Sequence, residues 1–205
     1  MLQLMHRHGA RAPEVSFNQS AICDDVPCGF LTKNGVKMIL AVGDYVKNQY
    51  LADDAPKSLF KSSTYDLKNV YSRSTDVLRC LQSADAFLKG LFPTDNSLYP
   101  AIHTVDNNED YLLNADFYPQ FTYFYDFDKV RLRNSGDATV DKNFPNFADL
   151  TAIGKEVSCD KFCSVYETRS DCAVKLYEIA TSKMADGTIS KPEFKLLNDS
   201  FTKLS

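Results

Sequence analysis

The sequence predicts an α/β fold. Residues 2–5, 69–72 and 102–105 are short apolar segments that read as strands, and between them lie stretches with apolar residues three and four apart, the spacing of a helix face. The first two strand exits each bring arginine to the same edge of the expected sheet, where loop-forming residues follow. In open sheets of this class ligands bind outside the carboxyl ends of the strands, so positive charge collects where a ligand would sit.

Each element has a local reason. Residues 2–5 lead into Arg7-His8-Gly9-Ala10-Arg11-Ala12-Pro13, two permanently charged guanidinium groups on either side of an imidazole. Residues 14–30 are loop-like and closed by Cys23 and Cys28. Thr32 is a good N-cap for a helix that carries Val36, Ile39, Leu40, Gly43, Val46 and Tyr50 on one face, which should lie against a sheet. A charged, proline-containing connection, residues 51–66, leads to the second strand and its exit, Arg73-Ser74-Thr75-Asp76. Ser74, Thr75 or Asp76 can cap the next helix, whose buried stripe is Val77, Leu81, Ala84, Leu88 and Leu91. Arg79 then falls in the first helical turn, beside free backbone donors and the positive end of the dipole, which makes a second anion site. After the third strand and the acidic turn Glu109-Asp110 the chain becomes rich in aromatic residues. A polar loop is expected at 134–143 and helices near 148–157, 171–185 and 192–201, which together read as a helical cap inserted into the core. The expected division is 1–109 for the α/β core and 110–205 for the cap.

Composition narrows the function. With 205 residues and 44% hydrophobic content the chain can bury a sizeable core. A net charge of -4 with mixed signs gives no broad basic surface and argues against nucleic acid. No apolar run approaches the roughly 20 residues of a membrane-spanning helix, and no leader precedes the first strand. The six cysteines, with Cys23/Cys28 and Cys159/Cys163 as local pairs, nevertheless fit an oxidising compartment, as do the sequons at Asn18 and Asn198. The N-terminus is therefore expected to be incomplete, and the location to be the secretory pathway: extracellular, lysosomal or membrane-associated.

The run Arg7 to Pro13 resembles R-H-G-x-R-x-P, the signature of the histidine acid phosphatases, a branch of the histidine phosphatase superfamily that also holds the phytases. Leu31, Thr32 and Gly35 resemble the family's L-T-x-x-G helix. Residues 73–93 are similar to its R-S-T-D-x-x-R helix ending in F-L-x-G-L-F-P, and residues 103–105 to its H-T-V segment. The wording from His6 to Arg11 is somewhat like the trypanosomatid membrane-bound enzymes. The resemblance covers nearly the whole chain and about the first half to three-fifths of a family member. It implies an incomplete three-layer Rossmann-like core with an inserted helical cap.

The resemblance and the chemistry agree on the site. His8 is the expected nucleophile, since neighbouring guanidinium charge disfavours the protonated imidazole and leaves a nitrogen lone pair for attack on phosphorus. Arg7, Arg11 and Arg79 are the expected phosphate clamp. Arg73 is read as a structural partner of Asp76, His6 as packed or hydrogen-bonded, and His103 as a strand residue within the core. The Asp186-to-Glu193 stretch resembles half of a calcium loop, but Ser182 and Met184 stand where carboxylates are needed. Cys159, Cys163 and Cys172 would leave a zinc ion one ligand short, so disulfides are expected there. No metal or cofactor is called for.

The family's second motif, His-Asp or His-Glu, supplies the acid that protonates the leaving alcohol, and no such pair occurs in these 205 residues. The expected function is phosphomonoester hydrolysis through a phosphohistidine intermediate, in a chain truncated before its general acid. A phosphate-binding protein without turnover is the alternative, and phytase is the runner-up among enzymes. The expected partner is a small phosphomonoester; a homodimer is left open.

Overall fold

The computed structural model describes residues 1–16, 19–23, 25–51, 59, 65, 68–93, 100–114, 118–143, 162–166, 168–185 and 187. In chain order the described elements are α1 (Gln19–Cys23), α2 (Lys33–Tyr50), β1 (Ser72–Arg73), α3 (Leu78–Leu91), β2 (Ile102–His103), α4 (Pro119–Asn143), a 3-10 turn (Phe162–Val165) and α5 (Arg169–Ala185). They belong to two compact units: Met1–Arg11 with Phe30–Phe117, and Ala12–Gly29 with Tyr118–Ser205.

In the first unit α2 starts as expected. Thr32 is extended and its hydroxyl accepts the Gly35 N–H, which satisfies one of the helix's open donors. The buried face of α2 is Gly35, Ile39, Gly43 and Val46, while Val36 and Leu40 are exposed. Its neighbour is α3 rather than a sheet face. Gly43 and Gly90 make this approach close, because a Cβ at either would run into a carbonyl of the opposite helix, Phe87 or Leu40. Ile39, Val46, Leu51, Phe87, Leu88, Leu91 and Phe92 form the core between and beyond the two helices. Each such side chain, fully buried, contributes about 1.5–3 kcal/mol.

The two strands pair in parallel, Ser72 with Ile102 and Arg73 with His103, and the Ser74 N–H to the His103 carbonyl, 2.9 Å, extends the pairing. A parallel pair needs a crossover, and α3 lies within it. Several expectations change here. Residues 2–5 form no ladder among the described residues, and Met5 is 92% exposed. Strand β1 begins at the last residue of the expected segment. None of Ser74, Thr75 and Asp76 caps α3: Val77 holds that position without a side-chain bond, and the Ser74 hydroxyl turns to the Thr75 carbonyl. His103 is on its strand but exposed, stacked on Tyr71 at 4.8 Å, because β2 has a solvated face.

The second unit packs Ala12, Val15, Ile22, Val140, Leu176 and Ile179 into one core. The expected polar loop at 134–143 is the last part of α4. Its polar residues have tertiary tasks that a local reading misses: Asp137 accepts the Ser170 N–H at the start of α5, Asp141 pairs with Arg169, and Val140 is buried. Cys23 and Cys28 are bonded as a local pair, but Cys163 is bonded to Cys172, not Cys159. The 3-10 turn brings Cys163 to the first turn of α5. Cys159, Asn18 of the first sequon, the whole of the second sequon and the helices expected at 148–157 and 192–201 lie outside the described residues, as does nearly all of the calcium-like stretch. No described helix is long and apolar enough to cross a membrane.

Candidate active site

The site is built where the segment after residues 2–5 lies on the starts of two helices. Ala10 is held by Thr32, whose backbone N–H and hydroxyl both donate to the Ala10 carbonyl, at 3.0 and 3.2 Å. Gly9 faces Gly35, and a Cβ on Gly9 would strike the Gly35 carbonyl. On the other side the Gly9 N–H donates to the Ser83 hydroxyl of α3 at 3.1 Å. Arg11 forms an antiparallel bridge with Leu31. The motif is thus fixed by backbone bonds at Gly9, Ala10 and Arg11.

His8 is half-buried, and its Nδ1 lies 2.8 Å from the carbonyl of Gly9. A carbonyl only accepts, so Nδ1 carries the proton of that bond and the lone pair of the neutral ring is on Nε2. The imidazole's affinity for a second proton is below the ordinary value, chiefly through desolvation and then through the positive charges of Arg7, Arg79 and Arg11, against the opposing pull of the Gly9 carbonyl. Charge is the expected cause, and burial is the largest single one. The three expected arginines thus all act electrostatically on His8, Arg79 being the second residue of α3. A cavity of 1430 Å³ in the same unit has Arg7, His8, Arg73, Ser83 and Phe87 among its walls. Three fixed positive charges acting on a neutral imidazole make a field that favours an anion and does not quench a nucleophile.

The other expected residues fall into place around them. His6 stacks on Phe87 at 4.9 Å and its Nδ1 donates to the Arg7 carbonyl at 3.0 Å, so it is packed and hydrogen-bonded. Arg73 is an ion-pair residue, but its partner is Asp110 at 2.6 Å, not Asp76. Asp110 is fully buried, and the same oxygen accepts the N–H groups of Leu112 and Leu113. The pair ties the exit of β1 to the turn beyond β2. Ser83 was not read from the sequence, although its place four residues after Arg79 marks it: a small polar residue within the buried stripe, one turn along. Among the described residues no cluster of His, Cys, Asp or Glu could hold a metal ion.

The description Histidine phosphatase superfamily (branch 2) matches residues 1–177. Testicular acid phosphatase of Mus musculus is 39% identical over 124 residues, 54% of this chain and 27% of that protein. Lysosomal acid phosphatase of Bos taurus is 35% identical over 128 residues, 57% of this chain and 29% of that protein. The chain thus spans less than a third of the length of the curated relatives it matches. Among solved structures, a Klebsiella phytase superposes with a TM-score of 0.58 at 19% identity, covering 96% of this chain and 57% of that one. A Hafnia alvei phytase gives 0.58 at 16% identity with the same coverage. The phytases share the fold, and the acid phosphatases share sequence over more than half of this chain. Since the family description spans residues 1–177 of the chain's 205, the chain belongs to the histidine phosphatase superfamily, branch 2.

Proposed function

We propose that this chain carries the phosphoryl-binding and nucleophilic part of an acid phosphatase site. His8 Nε2 attacks phosphorus, the bond from phosphorus to the alcohol oxygen breaks, and water then releases phosphate from the phosphohistidine. Arg7, Arg11 and Arg79 hold the equatorial oxygens and spread the transition-state charge. The observation that carries this reading is the half-buried His8 ring, with its Nδ1 proton engaged by Gly9 and three guanidinium charges acting on it. The ring stays neutral into mildly acidic solution, which suits an acid phosphatase. The resemblance assigns residues 110–205 to the family's inserted cap and 1–109 to its Rossmann-like core. Two disulfides and the lysosomal relative support a secretory-pathway location.

The acid for the leaving group is not among these 205 residues, and general acid catalysis contributes about 10²–10⁴ in rate. The test is therefore turnover of p-nitrophenyl phosphate, whose leaving group departs without a proton, by the chain and by His8→Ala. A rate in the unaltered chain that His8→Ala abolishes supports the reading; equal rates overturn it. A second reading of the same charge cluster is a chain that binds a phosphate group without turning it over. Phosphate affinity that falls on Arg79→Ala, with no turnover in the unaltered chain, would be its signature. A phytase-like role fits less well, because a polyphosphorylated ring needs a broad basic pocket and the chain carries a net charge of -4.

A further inference from the structure

Both backbone groups of Gly9 are held. Its carbonyl accepts from His8 Nδ1 at 2.8 Å, and its N–H donates to Ser83 Oγ at 3.1 Å. Ser83 is 1% exposed, and its own hydroxyl proton goes to the Arg79 carbonyl at 2.7 Å. A buried helical serine commonly bonds back to the carbonyl four residues before it, and that alone would imply nothing. Here the same oxygen also accepts a backbone N–H from 74 residues away. One hydroxyl therefore joins the residue after His8 to the backbone of Arg79.

We propose that Ser83 is a positioning residue, its hydroxyl setting the separation and orientation of the His8 ring relative to the turn of α3 that carries Arg79. The proposal rests on the phosphate reading of His8 and the three arginines. It goes beyond that reading by adding a residue that acts through Gly9.

The test uses the full 205-residue chain, labelled with ¹⁵N, with inorganic phosphate as probe. Ser83→Ala should shift the His8 ring nitrogen resonances in the absence of phosphate and weaken phosphate binding about tenfold, the scale of one lost hydrogen bond. Ser83→Thr keeps the hydroxyl and should restore both. Thr181→Ala removes a similar helical back-bond from α5 and should change neither. Unchanged His8 resonances and unchanged phosphate affinity in Ser83→Ala overturn the proposal. So does a Gly9 amide in the unaltered chain that exchanges with solvent as fast as that of Met5, a result independent of whether any variant folds. If the unaltered chain binds no phosphate but Ser83→Ala still moves the His8 resonances, the phosphate reading fails and the positioning role stands.

Discussion

His8 resists protonation in the folded chain first because it is half-buried and also because the positive charges of Arg7, Arg79 and Arg11 act on it. That resistance links its titration to stability. Above the ordinary histidine value of 6.5 the ring is neutral both folded and unfolded, and it contributes no pH dependence. As pH falls below that value the unfolded chain takes up the proton first, so stability is lost until the lowered folded value is passed. His8→Gln should therefore flatten the fall in melting temperature between about pH 7 and about pH 5, which thermal unfolding at the two pH values will show. Arg73 makes a different prediction, since its partner Asp110 has no exposed surface. Arg73→Ala leaves that carboxylate buried without its counter-charge, a loss of about 3–5 kcal/mol in urea unfolding. The lower end is expected, because the Arg73 side chain is itself 24% exposed.

Helix α2 meets α3 through glycine, and the close approach depends on it. Gly43→Ala would push a methyl group into the Phe87 carbonyl, so the helices must part or bend; overpacking of this kind costs about 1–3 kcal/mol. Chemical denaturation of the variant measures it, and a loss below a few tenths would mean that the interface yields easily. These elements also show what a sequence makes legible. The α2 helix is readable because its cap, Thr32, and its apolar stripe are local signals. The four site residues are readable because two short motifs contain them. The end of α4 is not, since Asp137, Val140 and Asp141 are used by partners around residues 169–172, whose identity no window of neighbouring residues contains. The same holds for Arg73, where the local carboxylate Asp76 was the natural partner and the distant Asp110 is the one used. Ser83 was hidden because its second bond reaches back to Gly9. The Cys163–Cys172 bond was obscured by a nearer cysteine.

At the scale of the molecule, the four bonded cysteines all lie in the second unit, whereas His8, Arg7, Arg11 and Arg79 all lie in the first. Reduction should therefore destabilise the second unit by about 2–3 kcal/mol per bond, the scale for loops this short, while phosphate binding by the first persists. Hydrogen exchange with and without reductant, followed unit by unit, checks this. Equal loss of protection in both units would show that they unfold together.

The excursion of residues 12–29 has a genetic meaning. The chain leaves the first unit after Arg11 and re-enters it at Phe30, and Arg11 and Leu31 are bridged, so departure and return occur at one place. Gly29 N–H bonds to the carbonyls of Ala12 and Pro13 close the excursion at its neck. A gene cut after codon 117 would thus encode a first unit still trailing Ala12, Val15 and Ile22 without Val140, Leu176 and Ile179 to cover them. Splicing out codons 12–29 as well, in favour of a short glycine-containing turn, would remove that trailing apolar surface while keeping both strands of the bridge. The segment from Arg7 to Pro13 passes in this sense from the first unit into the second at its own last residues, and recombination that moves one unit between genes must carry two separate pieces of DNA.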